Sequence, residues 1–536
     1  MGIPSYYRKL VNTHASLVRK SHPGAVEWLW MDFNCLIYHC LRRPDLRPYP
    51  GSAGRLIWEQ EFLQSIVAYL KKVVGEVRPS KGVYIAIDGV VPMAKMRQQR
   101  LRRFKSAWLT EKGLAEGQEA GKERWDSHSG SLIPSEPTTP RVKREVWDQN
   151  AITPGTEFMR SLRLALEKEV GKHKGWRLSS SDEPGEGEHK VMAEIRSCCS
   201  AANHAVYGLD ADLIVLSLLT QDSLQAKGIQ RIHLFREEVE NGSLVRNSMG
   251  EEEFQWFSID TLRDILLKRT PIRDYCCAMS FLGNDFLPSS LGLKMREDGH
   301  DTLMDLLMAL HAKGLHLVDS KDEIDRTGLL ELLRILDAQE EKAIEASLCR
   351  KIQQGRPYAT VELPVGDLNW ALKQQAEACL MDGKRLRKDW RSIYQTKCLQ
   401  DGLDTNRVYV QGLYWIWNYY RGELVCYNWH YPWNLPPLWN AVAAVIAVAD
   451  ATATATAAPV PVVKASDILP VEQLCLVLPP ASWHLIPSAK HQMLMAKAPY
   501  LFPKEFGFCS LGKRWFWECE AKIPIPTILE VKGLLL

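Results

Sequence analysis

Seven acidic residues occupy positions where strand ends and a tight turn would bring carboxylates together. Three short apolar runs, 28–32, 83–88 and 204–210, each end in an aspartate, and such runs between helical patterns are typical of buried parallel strands. The carboxyl ends of these strands border the crevice in which open α/β sheets place their sites. The set is Asp32, Asp88 and Asp210 at strand ends, with Asp212, Glu186, Glu188 and Asp285.

The chemistry that this set predicts is metal-assisted. Carboxylates that converge on one crevice repel each other, so cations are needed between them. Oxygen ligands alone favour Mg²⁺ or Mn²⁺. Two such ions, about 4 Å apart, activate water and stabilise the leaving oxygen in phosphodiester cleavage. The competing interpretation is that an aspartate after a strand only caps a helix. The Pro-Gly turn that carries Glu186 and Glu188 favours the functional interpretation.

A basic stretch follows Asp88 closely. Residues 95–105 read KMRQQRLRRFK, with six basic residues and no acidic one. In a helix, one face carries Lys95, Gln99, Arg102 and Arg103. Arginine forks bind phosphate oxygens in pairs, so this face is a candidate site for a terminal phosphate. A solvated basic face or a localisation signal is the alternative.

The elements that must position these residues form an α/β pattern. Residues 58–77 have helical spacing between the first two strands, which predicts a right-handed β-α-β unit. We place a nuclease-like unit at 1–300, in which 112–150 is a projecting or mobile insertion. A helical unit with dense aromatics follows at 301–440, then an Ala/Thr/Pro linker at 441–463 and a small C-terminal segment at 464–536.

Composition excludes some classes of protein. Of 536 residues, 67 are basic and 64 acidic, and 46% are apolar, which argues against wholesale disorder. The 13 cysteines include no C-x-x-C pair, so we expect free thiols in a reducing, intracellular compartment, with the cytoplasm favoured. The apolar run 441–449 is too short for a membrane span, which needs about 20 residues.

With these residues in view, the chain resembles the XRN family of 5′→3′ exoribonucleases. Order and spacing both fit over most of residues 1–440. The matching stretches are MGIPSYYRKL, MDFNCLIYHC, AIDGVVPMAKMRQQRLRRFKSA, AITPGTEFM, DEPGEGEHKVMAEIR, VYGLDADLIVLSLL, FLGNDFLPSSL and YVQGLYWIWNYYRGELVCYNWHYPW.

The resemblance implies a fold, a reaction and a set of roles. The fold is a PIN/flap-nuclease-like parallel sheet flanked by helices, with the helical, aromatic-rich second region packed against it. The reaction is processive, Mg²⁺- or Mn²⁺-dependent hydrolysis of single-stranded 5′-monophosphate RNA to nucleoside 5′-monophosphates in RNA decay, by a monomer with two ions. The seven acids match the metal-binding and catalytic carboxylates, and the basic face matches the 5′-phosphate pocket. Trp429 matches a base-stacking tryptophan, and Asn34 an asparagine beside the first aspartate.

One position departs from the family. The residue six places after Asp32 is Tyr38, where the family has a histidine that stacks on the first bases, and His39 follows it. Tyrosine can stack, but it does not exchange a proton near neutral pH as histidine does. We therefore expect Tyr38 or His39 to stack on substrate, with altered translocation or processivity.

Two other functions compete with this interpretation. A flap-type DNA nuclease shares the Met-Gly-Ile start and an acidic cluster. The sequences GEGEHK and YGLDADL, the basic KMRQQRLRR face and the aromatic region favour the XRN family instead. The second alternative is a catalytically weak family member that binds RNA as a scaffold. The presence of all seven acids argues against it.

Overall fold

A seven-stranded sheet organises the N-terminal half of the chain. The strands are β1 (Val18–Arg19), β2 (Trp28–Asp32), β3 (Gly82–Ala86), β4 (Trp176–Ser179), β5 (Asn203–Tyr207), β6 (Arg231–Glu237) and β7 (Phe254–Ser258). The computed structural model describes residues 5–113, 124–126, 131–133, 145–198, 203–208, 210–224, 231–240, 243–399, 403–448 and 462–536.

The sheet order is β1-β7-β6-β5-β2-β3-β4. The five strands from β6 to β4 run parallel, and β7 and β1 add antiparallel strands at one edge. Trp28 pairs with Gly82 on one side and with His204 on the other, so β3, β2 and β5 end at the same edge. This confirms the expected α/β fold with a parallel central sheet.

Ten helices accompany the sheet. They are α1 (Tyr6–Thr13), α2 (Asn34–Leu41), α3 (Arg55–Val77), α4 (Met93–Glu111), α5 (Glu157–Val170), α6 (Gly187–Ser197), α7 (Asp212–Leu224), α8 (Ile259–Leu267), α9 (Ile272–Ala278) and α10 (Gly299–His311). Helix α3 buries Phe62, Ile66 and Leu70 at intervals of four, which places one face on the sheet. Thr156 caps the N-terminus of α5, because its side chain accepts a hydrogen bond from the Met159 amide.

Eight more α-helices and four short two-stranded ribbons lie in the described chain, together with several 3-10 turns. The helices are α11 (Arg326–Gly355), α12 (Trp370–Lys373), α13 (Trp390–Ile393), α14 (Leu403–Arg421), α15 (Trp439–Val448), α16 (Pro470–Val477), α17 (Ser488–Lys497) and α18 (Ile528–Leu535). The ribbons pair Arg124–Asp126 with Ser131–Ile133, Val239–Glu240 with Ser243–Leu244, Met381–Asp382 with Arg385–Leu386, and Phe508–Cys509 with Glu520–Ala521.

One apolar core joins the first two predicted units. It contains Trp30 and Val206 from the sheet, together with Tyr409, Trp415 and Trp439 from the aromatic region. The boundary expected near 300 therefore lies within continuous packing. A separate core joins α4 to the C-terminal segment through residues such as Phe104, Leu474 and Phe502.

The structure corrects two predicted boundaries. The insertion predicted to run to 150 ends earlier, because Trp147 is buried and stacks edge-on against Phe158. The linker predicted to begin at 441 begins later, because α15 continues to Val448 and buries Val442 and Ile446. Residues 441–448 are all alanine, valine or isoleucine, so the sequence pattern did not show which of them form the buried face of a helix. Residues 449–461, with the Ala-Thr repeat, lie outside the described part of the chain, as does most of 114–144.

Among the helices of the described chain, none combines the length and the apolar character that crossing a membrane requires.

Candidate active site

The parallel strands carry the predicted acids to one edge of the sheet. Asp32 is the last residue of β2, and Asp88 follows β3. Asp210 follows β5, and Asp212 is the first residue of α7. The remaining acids come from two turns: Glu186 is the N-cap of α6, Glu188 lies in its first turn, and Asp285 follows the short 3-10 helix Met279–Leu282.

Gly187 lets three of these elements approach closely. Its amide donates to Asp88 Oδ1 at 2.7 Å. A Cβ atom at this position would lie 2.8 Å from Asp32 Oδ1 and 3.0 Å from the carbonyl oxygen of Ala86. Only glycine therefore fits between Glu186 and Glu188, and the turn brings both glutamates against the strand-end aspartates.

Asn34 fixes the other oxygen of Asp88. Its Nδ2 donates to Asp88 Oδ2 at 3.0 Å, and its Oδ1 accepts the Asp88 amide at 3.0 Å. Together with the Gly187 amide, these bonds orient the Asp88 carboxylate from both sides. Asn34, predicted beside the first aspartate, is thus hydrogen-bonded to the second aspartate, Asp88.

The acids form one electrostatic network. Burial and the charges of Asp88 and Asp210 raise the pKa of Asp32 well above its usual value. Burial, only partly opposed by Lys95, does the same to the pKa of Glu188 and raises that of Glu186. Burial and the charge of Asp285 raise the pKa of Asp212 to about 7. Burial and, to a smaller extent, the neighbouring negative charges thus disfavour the ionised carboxylates, and a bound cation would offset both effects.

Lys95 lies among the acids. Its Nζ is 2.6 Å from Glu186 Oε2 and 3.0 Å from Asp285 Oδ2. Burial would lower the pKa of Lys95, but Glu186 and Asp285 outweigh it and hold that pKa well above its usual value. Burial would likewise raise the pKa of Asp285, but Lys95 more than offsets this and keeps it low. One cation of the basic helix thus touches the acidic group directly.

The donor set fits a hard divalent cation. The seven acids offer only carboxylate oxygens, which suit Mg²⁺ or Mn²⁺. Glu186, Glu188 and His189 present ligand atoms within 4.8 Å of one another. Burial lowers the pKa of His189 to about 3, so its imidazole is neutral at pH 7. The acidic group can therefore hold metal, although its geometry does not select one ion.

The buried face of α4 continues from Lys95 to Gln99 and Arg103, one and two turns further on. Both residues are 7% exposed, and Gln99 Oε1 and Arg103 Nη1 have no hydrogen-bond partner among the residues that the structure describes. Burial lowers the pKa of Arg103 to about 10, so the guanidinium stays charged at pH 7. Arg102, in contrast to Gln99 and Arg103, is exposed, and its positive charge helps to lower the pKa of Asp285.

The other three cations of the basic stretch have a structural role. Arg100 is fully buried and donates to the backbone carbonyls of Leu476, Leu501 and Pro524. Lys105 donates to the carbonyls of Phe516 and Cys519, and Arg97 to the side chain of Glu520. Sequence reasoning did not find this role, because the acceptors lie 376 to 424 residues away in the chain.

Aromatic side chains of α14 lie against the cluster of seven acids. Tyr419 donates to Glu186 Oε1 at 2.7 Å, and its ring stacks on His189 at 3.8 Å. The column continues to Trp415 at 4.8 Å and from there to Trp429 at 4.9 Å. Tyr419 and His189 were absent from the sequence-based site. The aromatic density of 409–433 was the available signal, but it did not distinguish Tyr419 from core tyrosines.

Tyr38 and His39, the two candidates for stacking on the substrate, lie in different surroundings. His39 stacks on Tyr69 at 4.4 Å and faces Glu252, and burial lowers its pKa. Tyr38 is half-buried and lies within electrostatic range of Arg103. Trp429 is 7% exposed, with Trp415 against one face of its ring. The arrangement favours Tyr38 over His39 as the residue beside the basic helix.

Two family models match the chain. Residues 1–229 match the XRN 5′-3′ exonuclease N-terminus, and residues 388–532 match the Xrn1 helical domain. The chain belongs to the XRN family. The first match contains six of the seven acids and the whole basic face. The second begins within the predicted helical unit and extends across the predicted linker into the C-terminal segment, so the latter belongs to the family architecture.

Named relatives agree with this assignment. The 5′-3′ exoribonuclease 2 of Arabidopsis thaliana is 24% identical over 100% of this chain and 67% of its own length, and that of Gallus gallus is 24% identical over 98% and 68%. The human 5′-3′ exoribonuclease 1 is 26% identical over 98% of this chain and 33% of its own length. The chain thus spans between one third and two thirds of these relatives. The XRN resemblance is confirmed, and these relatives carry the enzyme class that the sequence predicts, 5′→3′ exoribonuclease.

Proposed function

We propose that this chain hydrolyses single-stranded RNA from a 5′-monophosphate end, releases nucleoside 5′-monophosphates and requires Mg²⁺ or Mn²⁺. The observation that carries the proposal is the buried face of α4. It places one cation, Lys95, among the carboxylates. Further along the same face, Gln99 and Arg103 each carry a polar atom that has no partner within the described part of the chain.

The metal side of the proposal rests on the carboxylates. Two bound cations would activate a water molecule and stabilise the leaving oxygen of an in-line displacement. The chain's own contribution is to hold the ligands in place: Asn34 and the Gly187 amide orient Asp88, and Tyr419 orients Glu186. Such supports keep reacting groups within a narrow geometry.

The phosphate side rests on groups left unsatisfied by the protein. A buried guanidinium N–H without a partner is costly, unless a ligand supplies an acceptor. The Nη1 of Arg103 would donate to a terminal phosphate oxygen, with Gln99 beside it. Exposed Arg102 would add charge at the rim. Because Lys95 and Arg103 are eight residues apart, they are separated by about 12 Å along the helix axis, which sets how far the 5′ end enters.

Base stacking would guide the next nucleotide inward. Tyr38 lies near Arg103 and carries a flat ring that any base can stack on. Trp429 ends the aromatic column that begins at His189, and we assign it a stacking role on the substrate side. We also propose that the chain acts as a monomer and degrades RNA processively. This would place it in RNA decay inside the cell, with the cytoplasm favoured.

The first test compares RNA substrates that differ only at the 5′ end. The purified chain with Mg²⁺ should degrade 5′-monophosphate RNA and leave 5′-triphosphate and 5′-hydroxyl RNA largely intact. A 5′-flap DNA substrate belongs in the same assay, because preference for it would favour the flap-type alternative. Equal rates on the three RNA ends would remove the phosphate pocket from the proposal.

Two variants separate the metal side from the phosphate side. Asp210→Ala should abolish turnover and leave RNA binding, measured by fluorescence anisotropy, largely unchanged. Arg103→Gln should lower kcat/KM on 5′-monophosphate RNA by about 10- to 100-fold, the range for losing a charged hydrogen bond, and change the 5′-hydroxyl rate little. Arg334→Gln is the matched control, because Arg334 is an exposed arginine of α11 that pairs with Glu331. Full activity of Asp210→Ala would contradict the metal assignment.

A further inference from the structure

A second group of metal-binding side chains lies outside the acidic crevice. Asp274 is in the first turn of α9, His311 is the last residue of α10, and His316 follows five residues later, before α11. Their ligand atoms lie within 4.8 Å of one another. Neither the sequence motifs nor the proposed nuclease reaction uses these residues.

The carboxylate of Asp274 is held in place and directed at both imidazoles. Its Oδ1 accepts the backbone amides of Leu317 and Val318 at 3.1 and 2.9 Å. Its Oδ2 lies 2.8 Å from His311 Nε2 and 2.9 Å from His316 Nδ1. Backbone donors on one carboxylate oxygen are the kind of outer contact that orients a metal ligand.

The spacing suits a small ion with nitrogen and oxygen ligands. Zn²⁺ binds such atoms at about 2.0–2.1 Å, so tetrahedral neighbours lie about 3.3 Å apart. The two imidazole rings are 5.0 Å apart and inclined by 32°, and opening each contact by about 0.5 Å needs only small side-chain rotations. Asp274 is buried, whereas the side chain of His316 is 51% exposed, so an ion can enter from solvent.

We propose that Asp274, His311 and His316 form a site for a divalent transition metal of the Zn²⁺ class. Imidazole ligands favour such ions over Mg²⁺. Three protein ligands leave a coordination position for water. The ion would tie the end of α10 and the chain that enters α11 to α9, and thereby join the nuclease region to the helical region.

The tautomers of the two histidines distinguish this site from a hydrogen-bonded cluster. Without metal, His311 Nε2 and His316 Nδ1 each carry the proton donated to Asp274. With metal, the same nitrogens must be unprotonated and the proton of each ring moves to the other nitrogen. His316→Gln removes the imidazole, and the amide that replaces it is a poor ligand for Zn²⁺.

The test measures bound zinc in the full chain. Wild type, His316→Gln and His311→Gln are dialysed against micromolar Zn²⁺ with millimolar Mg²⁺, which occupies the carboxylate crevice, and metal content is read by mass spectrometry. We expect wild type to hold one zinc equivalent more than either variant, and the affinity of that equivalent to fall at least tenfold in each. The thermal midpoint of wild type should rise with Zn²⁺ more than that of either variant.

His173→Gln is the matched control. His173 is a half-exposed histidine that contacts one carboxylate, Glu169, at 3.1 Å, and within the described ranges no second histidine joins it in a metal-binding group. The His173→Gln variant should bind as much zinc as wild type does. Equal zinc content in wild type and His316→Gln would overturn the proposal and leave a hydrogen-bonded cluster only. If the variants fail to fold, a Co²⁺ titration of wild type decides, because the absence of a tetrahedral visible spectrum would equally overturn it.

Discussion

Gly187 shows how one residue sets the geometry of the acidic crevice. Two glutamates of one turn must meet aspartates from two strands, and the backbone between them has no room for a side chain. The spacing of Glu186 and Glu188 in the sequence therefore reflects a packing limit as well as a ligand requirement.

Gly187→Ala should lower kcat on 5′-monophosphate RNA by about 100-fold, because a shift of about 1 Å at a reacting centre has this effect. Gly75→Ala is the control: nothing lies within 4 Å of a Cβ atom there, and we expect unchanged kcat. Single-turnover rates measure the difference. Equal kcat for both variants would mean that the crevice tolerates the displacement.

At the scale of elements, helix α4 belongs to two structures at once. One face carries Lys95, Gln99 and Arg103 to the crevice. Another buries Arg100, whose guanidinium also lies 4.4 Å from the ring of Phe104 and 5.2 Å from that of Phe502. The C-terminal segment thus holds the helix that we assign to phosphate binding.

Arg100→Met should lower the thermal midpoint of the chain strongly, because it leaves buried carbonyl oxygens without a donor, at about 1–3 kcal/mol for each. Arg102→Met, an exposed position on the same helix, should melt close to wild type. Differential scanning fluorimetry compares the two. Similar midpoints would show that Arg100 does not hold the C-terminal segment.

A second element-scale prediction concerns the contact between α11 and α15. Both carboxylate oxygens of Glu340 lie 3.3 Å from the backbone nitrogen of Trp439, and burial raises the pKa of Glu340 to about 8. The folded state therefore keeps a proton that the unfolded chain releases near pH 4.5. Stability from this group is present below that pH and is lost as pH rises toward 8.

The thermal midpoint of Glu340→Gln should consequently fall less between pH 5 and pH 8 than that of wild type, by about 2 °C or more. Glu341→Gln is the control on the same helix, since the Glu341 side chain is 60% exposed, and it should follow wild type. A pH profile of Glu340→Gln that matches wild type would contradict the assignment.

For the whole molecule, the packing predicts that the C-terminal segment stays bound without a covalent link. The core between α4 and residues 463–535 buries some thirty side chains, and Gln473 accepts the Val91 amide across it. Cutting the chain at a protease site inserted within 450–461 should leave two fragments that elute together and keep RNA hydrolysis. Size-exclusion chromatography after cleavage measures this, with uncut protein as control. Separation of the fragments would contradict it.

Much of the architecture could be predicted from the sequence. The strands that lead to Asp32, Asp88 and Asp210, helix α3 and the basic helix α4 could be predicted because apolar runs and helical spacing involve near neighbours in the chain. The net charge of +3 gives no sign that acidic and basic residues are separated in the structure, where seven acids lie at the sheet edge and a cluster of cations lies on α4.

What the sequence by itself determined is the chemistry: which carboxylates, which cations, and the family that carries both in this order. The tertiary structure decided which partner each of these side chains contacts. It directed Arg100 and Lys105 to distant carbonyls, turned His39 toward Tyr69, left Arg103 with an open donor and set Tyr419 on Glu186. These outcomes depend on contacts between residues hundreds of positions apart, and local periodicity carries no information about such contacts.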